Sequence, residues 1–164
     1  SYFWTFCDDY LELVKNRAYS EEPEAESAKA ALHLALETLL KLFAPFLPYV
    51  TEEVWSWWQE GSVHRAAWPQ PVELGSAAAA DATTVDAVAA ALAGLRGVKS
   101  QAKVSMRAEL ARATVRGPEP LVRAAELAAE DLRKTGKVTG ELTFEADESA
   151  TELTVTAELA EQPQ

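Results

Sequence analysis

Apolar positions at helical spacing dominate the first half of the chain. Over residues 2–19 two neighbouring apolar stripes recur at this spacing, which predicts a helix with two packing partners. A polar break follows, and Pro23 suits the first turn of a second helix that runs to about residue 43. We predict a third helix from Thr51, as its N-cap, to about Gly61. The first part of the chain is therefore predicted to be helical.

The pattern changes in the second half of the chain. Helical faces predict helices over 81–95 and 118–134. Alternating apolar and polar positions predict strands over 109–115, 137–145 and 152–159. The loop between the last two strands is short enough for a hairpin, so we expect those strands to be neighbours. The predicted fold class is α+β, part of a helical bundle followed by a small unit with an antiparallel sheet of about three strands.

A segment without either periodicity separates the two halves. Trp68, Pro69, Pro71 and Gly75 favour an extended connection, and the alanines at 77–80 form a low-complexity run. We therefore predict three parts in the chain. They are a partial helical bundle over 1–74, a linker over 75–82 and a small α+β unit over 83–164.

Composition excludes several classes of site. The 164 residues are 48% hydrophobic, enough to bury a core. Cys7 is the only cysteine, so neither an intramolecular disulfide nor a cysteine metal cluster can form. The sequence has no apolar run of about 18 residues and no basic-then-apolar amino terminus, which predicts no membrane span, no signal peptide and a cytoplasmic location. It also lacks a glycine-rich phosphate loop and zinc-ligand spacing, so we predict no catalytic residue, metal or cofactor within it.

The net charge of −11 disfavours nucleic acid, yet the positive charge is concentrated in one place. Residues 1–73 and 117–164 each carry a net −7, whereas residues 74–116 carry +3. The basic side chains of this central segment lie within about twenty residues that include one acid, Glu109. They are Arg96, Lys99, Lys103, Arg107, Arg112 and Arg116. Phosphate binding and a solvated helix face followed by a strand edge explain this cluster equally well.

Two segments carry family motifs. The segment Leu42–Trp58 reads LFAPFLPYVTEEVWSWW, and its Pro-x-x-Pro and Thr-Glu-Glu-x-Trp elements resemble the anticodon-binding region of class I aminoacyl-tRNA synthetases. The segment Phe6–Arg17 is similar to the Phe-Cys-Asp-x-Tyr-Leu-Glu helix of valyl-tRNA synthetases, which isoleucyl relatives usually lack. His64 and Trp68 match the His-x-x-x-Trp-Pro element of the family. The resemblance covers about the first 70 residues.

This resemblance implies a part of an enzyme that ligates valine to tRNA(Val) using ATP and magnesium. The His-Ile-Gly-His and Lys-Met-Ser-Lys-Ser signatures of class I catalytic domains are absent, so we expect this chain to be inactive alone. The implied partners are tRNA(Val) and the catalytic and editing domains of the same parent chain, with no membrane or DNA. The same region of an isoleucyl enzyme, or a non-catalytic structural or protein-interaction module, are the alternatives.

Recognition of an RNA loop requires aromatic rings for base stacking, polar groups for base edges and cations for phosphates. The first helix contains these residue types, and the resemblance places the anticodon near the bundle. The candidate tRNA-binding residues are Phe3, Trp4, Asp9, Lys15, Asn16, Arg17, Arg96, Lys99, Lys103 and Arg107. For the two aromatic residues the alternative interpretation is core packing, and for the cations of the first helix it is simple solvation.

The family resemblance also predicts an exposed apolar stripe. In the family, about two helices of the bundle precede the helix that begins near Tyr2 here. Phe3, Trp4 and Leu11 would then lack their usual neighbours. Because large apolar surfaces rarely stay unpaired, we predict self-association through this face.

Overall fold

The predicted first helix forms, with a wider turn in its middle. The computed structural model describes residues 2–72, 75 and 80–160. In it this helix consists of α1 (Tyr2–Trp4), a π-helical segment (Thr5–Tyr10) and α2 (Leu11–Ala18). Leu13 and Val14 on α2 are buried, whereas Lys15 is exposed. The helix therefore packs along one face and presents polar side chains on another.

The first helix packs with elements from the second half of the chain. Contacts divide the chain into a unit of Ser1–Ser20 with Asp81–Gln164, here called the α+β unit, and a unit of Glu21–Ala80, here called the helical unit. Arg17 forms an ion pair with Asp131 at 2.9 Å, and Thr135 donates a hydrogen bond to the Glu12 carbonyl. This division differs from the predicted parts at 1–74 and 83–164, because these pairings are remote in sequence.

The helical unit is built around a small aromatic core. It contains α3 (Glu24–Phe43), α4 (Pro48–Ser56) and a 3-10 helix (Val63–Arg65). Leu40, Ala44, Trp55 and Val63 form the buried cluster of this unit. The two tryptophans Trp55 and Trp58 lie with ring centroids 5.7 Å apart, so the aromatic rings pack on each other as well as on the aliphatic core.

The start of α4 differs from the prediction. The helix begins at Pro48, because proline suits the first helical position, where no backbone N–H is required. Thr51 is consequently inside the first turn and not its N-cap, and its hydroxyl donates to the Leu47 carbonyl at 2.8 Å. The helix ends at Ser56, short of the predicted Gly61.

The α+β unit follows the predicted order of elements closely. It contains α5 (Thr83–Gln101), β1 (Leu110–Gly117), α6 (Glu119–Glu126), α7 (Ala129–Gly136), β2 (Val138–Ala146) and β3 (Thr154–Leu159). The α+β class and the three predicted strands are confirmed. The single helix predicted over 118–134 is instead two helices, α6 and α7. No helix in the described part of the chain is long and apolar enough to cross a membrane.

The sheet is mixed, so the prediction of an antiparallel sheet was wrong. Its strand order is β2-β1-β3, with β1 parallel to β2 and antiparallel to β3. The connection through α6 and α7 returns the chain to the end of the sheet where β1 began, which makes β2 parallel to β1. The predicted hairpin between β2 and β3 was also wrong, because β1 lies between them. Leu110, Ala113 and Val115 of β1 are buried, as expected of a central strand.

Close packing of α5 on β3 depends on Gly94. A Cβ atom at this position would lie 2.4 Å from Cγ2 of Val155. One turn later, a Cβ atom at Gly97 would meet no atom within 4 Å. The two glycines therefore occupy the same helix with opposite packing requirements.

We predict opposite effects of the same substitution at these two positions. Gly97→Ala gains helix propensity and should raise the free energy of unfolding by about 1 kcal/mol. Gly94→Ala gains the same propensity but incurs overpacking of about 1–3 kcal/mol, so its free energy of unfolding should lie below that of Gly97→Ala by that amount. Urea unfolding of both variants measures the difference. Equal stabilities would contradict the close approach of α5 and β3.

Candidate nucleic-acid interface

An open cleft with a basic lining lies within the α+β unit. Its volume is about 750 Å³, and residues of α2, α5, α7 and the loop after α5 line it. The basic lining residues are Lys15, Arg96, Lys99, Arg107, Lys134 and Lys137. Two acids, Glu12 and Glu109, also line the cleft. An excess of cations is unusual in a chain with a net charge of −11, and it makes the cleft a candidate site for a polyanion.

The cleft brings together five of the ten predicted site residues, although they are up to 92 positions apart in the numbering of the chain. These are Lys15, Asn16, Arg96, Lys99 and Arg107. The remaining candidates, Phe3, Trp4, Asp9, Arg17 and Lys103, are not among its lining residues. Residues from the first helix and from the basic segment thus meet, as a shared RNA-binding surface requires.

Lys99 lies at the base of this cleft and is 2% exposed. Its ammonium group donates hydrogen bonds to the carbonyls of Gly136 at 2.8 Å and Met106 at 3.1 Å. Burial lowers the pKa of Lys99 below its ordinary value, and the positive charge of Lys137 adds to this effect. The ammonium group is therefore committed to protein carbonyls and holds the loop after α5 against the end of α7.

Three of the predicted cations are already paired with acids. Arg96 donates to the Asp9 carboxylate and to the Asp8 carbonyl, both at 3.0 Å. Lys15 pairs with Glu12 on the same helix. Arg17 pairs with Asp131, whose pKa is raised by burial against the opposing effect of the guanidinium. The pairs of Arg17 and Arg96 position the first helix, whereas the Lys15–Glu12 pair lies within that helix and is exposed.

Arg107, Lys134 and Lys137 differ from the other cations of the cleft. All three side chains are exposed, and none forms an ion pair with any residue that the structure describes. Sequence reasoning missed Lys134 and Lys137 because they belong to the acidic segment 117–164. Their one signal in the sequence is their position at the end of a predicted helix, on either side of Gly136.

Phe3 and Trp4 are exposed aromatic residues at the start of the first helix. Their side chains are 41% and 62% exposed, and their rings meet edge to face at 5.7 Å. Both side chains therefore leave aromatic surface that the described residues do not cover. They present aromatic surface on which a base or another protein can stack.

Comparison with known proteins shows the family of this chain. Residues 1–115 match the family model described as the anticodon-binding domain of tRNA ligase. The chain belongs to this family. The match runs from the first helix through Arg107 into β1, and it ends before Lys134 and Lys137. The family resemblance of Phe6–Arg17 and Leu42–Trp58 is thereby confirmed.

Relatives of this anticodon-binding chain are valine–tRNA ligases from bacteria. That of Thermobifida fusca is 53% identical over 97% of this chain and 18% of its own length. That of Salinispora arenicola is 51% identical over 89% of this chain and 19% of its own length. The enzyme of Cutibacterium acnes is 48% identical over 99% of this chain. The chain thus spans less than a fifth of the length of these relatives.

The lowered pKa of Lys99 predicts a pH dependence of stability. Between this pKa in the folded state and the ordinary value of 10.5, the unfolded chain holds a proton that the folded chain has released. The contribution of Lys99 to stability therefore rises with pH in this window. Relative to Lys99→Met, the wild-type chain should gain stability between pH 7 and pH 10.

Urea unfolding of both proteins at the two pH values tests this prediction. Groups that titrate in both proteins cancel in the difference between them. Lys103→Met, which removes an exposed lysine close by in the sequence, is the matched control. The quantity compared is the free energy of unfolding of the wild type minus that of Lys99→Met. A value that stays constant or falls as the pH rises would contradict the burial of this ammonium group.

Proposed function

We propose that this chain recognises the anticodon region of tRNA(Val) as part of a valine–tRNA ligase. Its family membership supports RNA recognition, and the names of its relatives support valine. The observation that carries the proposal is the basic cleft, because it gathers candidate residues from two distant segments of the chain.

The chemistry of the proposed recognition divides among the candidate residues. Lys15 and Arg107 line the cleft with exposed side chains, and we assign them to phosphates. Asn16 also lines it and carries both a donor and an acceptor for a base edge. Phe3 and Trp4 offer rings on which unstacked bases of a loop can lie. Asp9, Arg17 and Arg96 position the first helix through their ion pairs.

The longer enzyme would join valine to tRNA(Val) with ATP and magnesium. We assign those groups to a catalytic domain outside this chain, because no class I catalytic signature occurs in its sequence. The chain by itself would be inactive, and its partners would be tRNA(Val) and the catalytic and editing domains of the same parent protein. We place the parent enzyme in the cytoplasm, where tRNA is charged.

Self-association is a further proposal for the exposed apolar face. Phe3 and Trp4 are exposed on this face, and Leu11 is partly buried. Two copies that cover each other's aromatic residues would remove this surface from water. RNA bound to the same rings would compete with the association.

There are two alternative functions. The same region of an isoleucyl enzyme would share the fold and differ in its preferred anticodon. A structural or protein-interaction module is favoured by the net charge of −11, which opposes binding to RNA. Anticodon preference and salt dependence separate these possibilities.

We predict preferential binding of tRNA with a valine anticodon. The chain is titrated with this tRNA and with the same tRNA carrying an isoleucine anticodon, each at two salt concentrations. Tighter, salt-sensitive binding of the first is expected, since phosphate contacts release counterions and base contacts read the anticodon. Preference for the second RNA would favour the isoleucyl alternative. Failure to bind either at any salt concentration would favour the protein-interaction module.

A stacking role of Trp4 predicts a selective loss of affinity. Trp4→Ala should weaken binding of the valine-anticodon tRNA by about 5- to 150-fold, because one stacked base contributes about 1–3 kcal/mol. Trp57→Ala is the matched control, since Trp57 is 69% exposed and its indole N–H donates to Glu53 beside it. Fluorescence anisotropy of labelled tRNA measures both affinities. The same affinity for the two variants would remove Trp4 from the proposed interface.

A further inference from the structure

The segment beyond the family match is acidic, yet its cations divide into two kinds. Residues 117–164 contain 11 acidic and 4 basic side chains. Arg123 pairs with Glu119, and Arg133 pairs with Glu130. Lys134 and Lys137 have no such partner among the described residues, although acids are abundant around them in the sequence. They are also the two of the four that line the cleft.

Lys137 occupies a backbone conformation that disfavours its side chain. It ends α7 in the left-handed region, with φ of 56°, where residues other than glycine have a steric cost. The conformation is held because its carbonyl accepts a hydrogen bond from the Leu110 N–H at 2.8 Å. Glycine is instead at 136, where a Cβ atom would lie 2.7 Å from Cδ1 of Leu95. A lysine at 137 thus carries a steric cost that a glycine would avoid.

We propose that Lys134 and Lys137, together with Arg107, form a phosphate-binding wall of the cleft, so that the segment after the family domain takes part in holding the RNA backbone. This inference rests on the proposed function, because it assumes that the ligand of the cleft is RNA. It extends the interface to two residues outside the family match. It also assigns them affinity without sequence preference, since phosphates carry no base identity.

The geometry of the cleft favours a nucleic-acid backbone over a small anion. Its volume of about 750 Å³ exceeds what one phosphate group occupies. Arg107 is contributed by the loop after α5, and the two lysines by the end of α7. Cations distributed over separate segments can contact successive phosphates of one strand at the same time. The carbonyls that bind Lys99 hold these two segments together.

The test compares two double variants of the 164-residue chain. Lys134→Gln with Lys137→Gln removes the two proposed phosphate contacts. Lys29→Gln with Arg123→Gln removes the same charge from exposed residues that pair with acids on their own helices. The dissociation constants of tRNAs with valine and isoleucine anticodons are measured over a series of KCl concentrations.

The cleft variant should bind both tRNAs more weakly by the same factor. Its plot of log K against log[KCl] should be shallower than that of the control variant by about 0.7 for each lost contact, the value for single-stranded nucleic acid. Equal affinities and slopes for the two double variants would overturn the proposal.

A single variant separates charge from folding. Lys137→Gly removes the cation and also the steric cost of the left-handed conformation. Its melting temperature should therefore be at or above that of Lys137→Gln, while both lose the same RNA affinity. A Lys137→Gly chain with wild-type affinity would overturn the role of this side chain, whatever its stability.

The outcomes for this inference and for the proposed function are distinct. Anticodon preference with no effect of the lysine substitutions retains the proposed function and overturns the phosphate-binding wall. A uniform loss of affinity without anticodon preference supports the wall and overturns the valine assignment. A wild-type chain that binds neither tRNA at the lowest salt concentration overturns both.

Discussion

The buried ammonium group of Lys99 is the interaction on which the cleft depends. It connects α5 to the loop around Met106 and to the carboxyl end of α7 through two carbonyl groups. Burying a cation is costly, and the lowered pKa of Lys99 expresses that cost. Helix ends leave carbonyls without intrahelical partners, and the Gly136 carbonyl is one that this cation satisfies. The loop that carries Arg107 and the helix end that carries Lys137 are thereby fixed together.

Most basic side chains of this chain for which the structure gives contacts form ion pairs with acids. Acids outnumber bases 26 to 15, so a cation left without an acidic partner is the less common arrangement. Arg17 and Arg96 use their charge to dock the first helix within the α+β unit. The side chains of Arg107, Lys134 and Lys137 form no ion pair with the described residues, and their positive charges line the cleft. The excess of acids in the rest of the chain also repels RNA, which would restrict RNA binding to the cleft.

The motif that signals the family serves the fold of the helical unit. Pro48 begins α4, and Thr51 closes its first turn. The Glu52 carboxylate accepts hydrogen bonds from the Ser62 hydroxyl and the Val63 N–H, at 2.9 and 3.0 Å, which ties the next turn to this helix. The residues of this motif are therefore different from those that line the cleft, whereas the other family segment, Phe6–Arg17, contributes Glu12, Lys15 and Asn16 to it. Recognition of a family from such a motif says little about which side chains contact a ligand.

The periodicity of apolar residues was sufficient to predict most of the helices, the three strands and the α+β class, because these depend on neighbours within a few positions. It did not predict the break between α6 and α7 or the start of α4 at Pro48. The local motifs were likewise sufficient for the family. Strand order, the parallel pairing of β1 with β2 and the docking of the first helix depended on contacts between distant residues. The same holds for the cleft, which joins Lys15 to Arg107 and Lys137. Such contacts are selected by the packing of whole elements, and no local pattern in the sequence records which surfaces will meet.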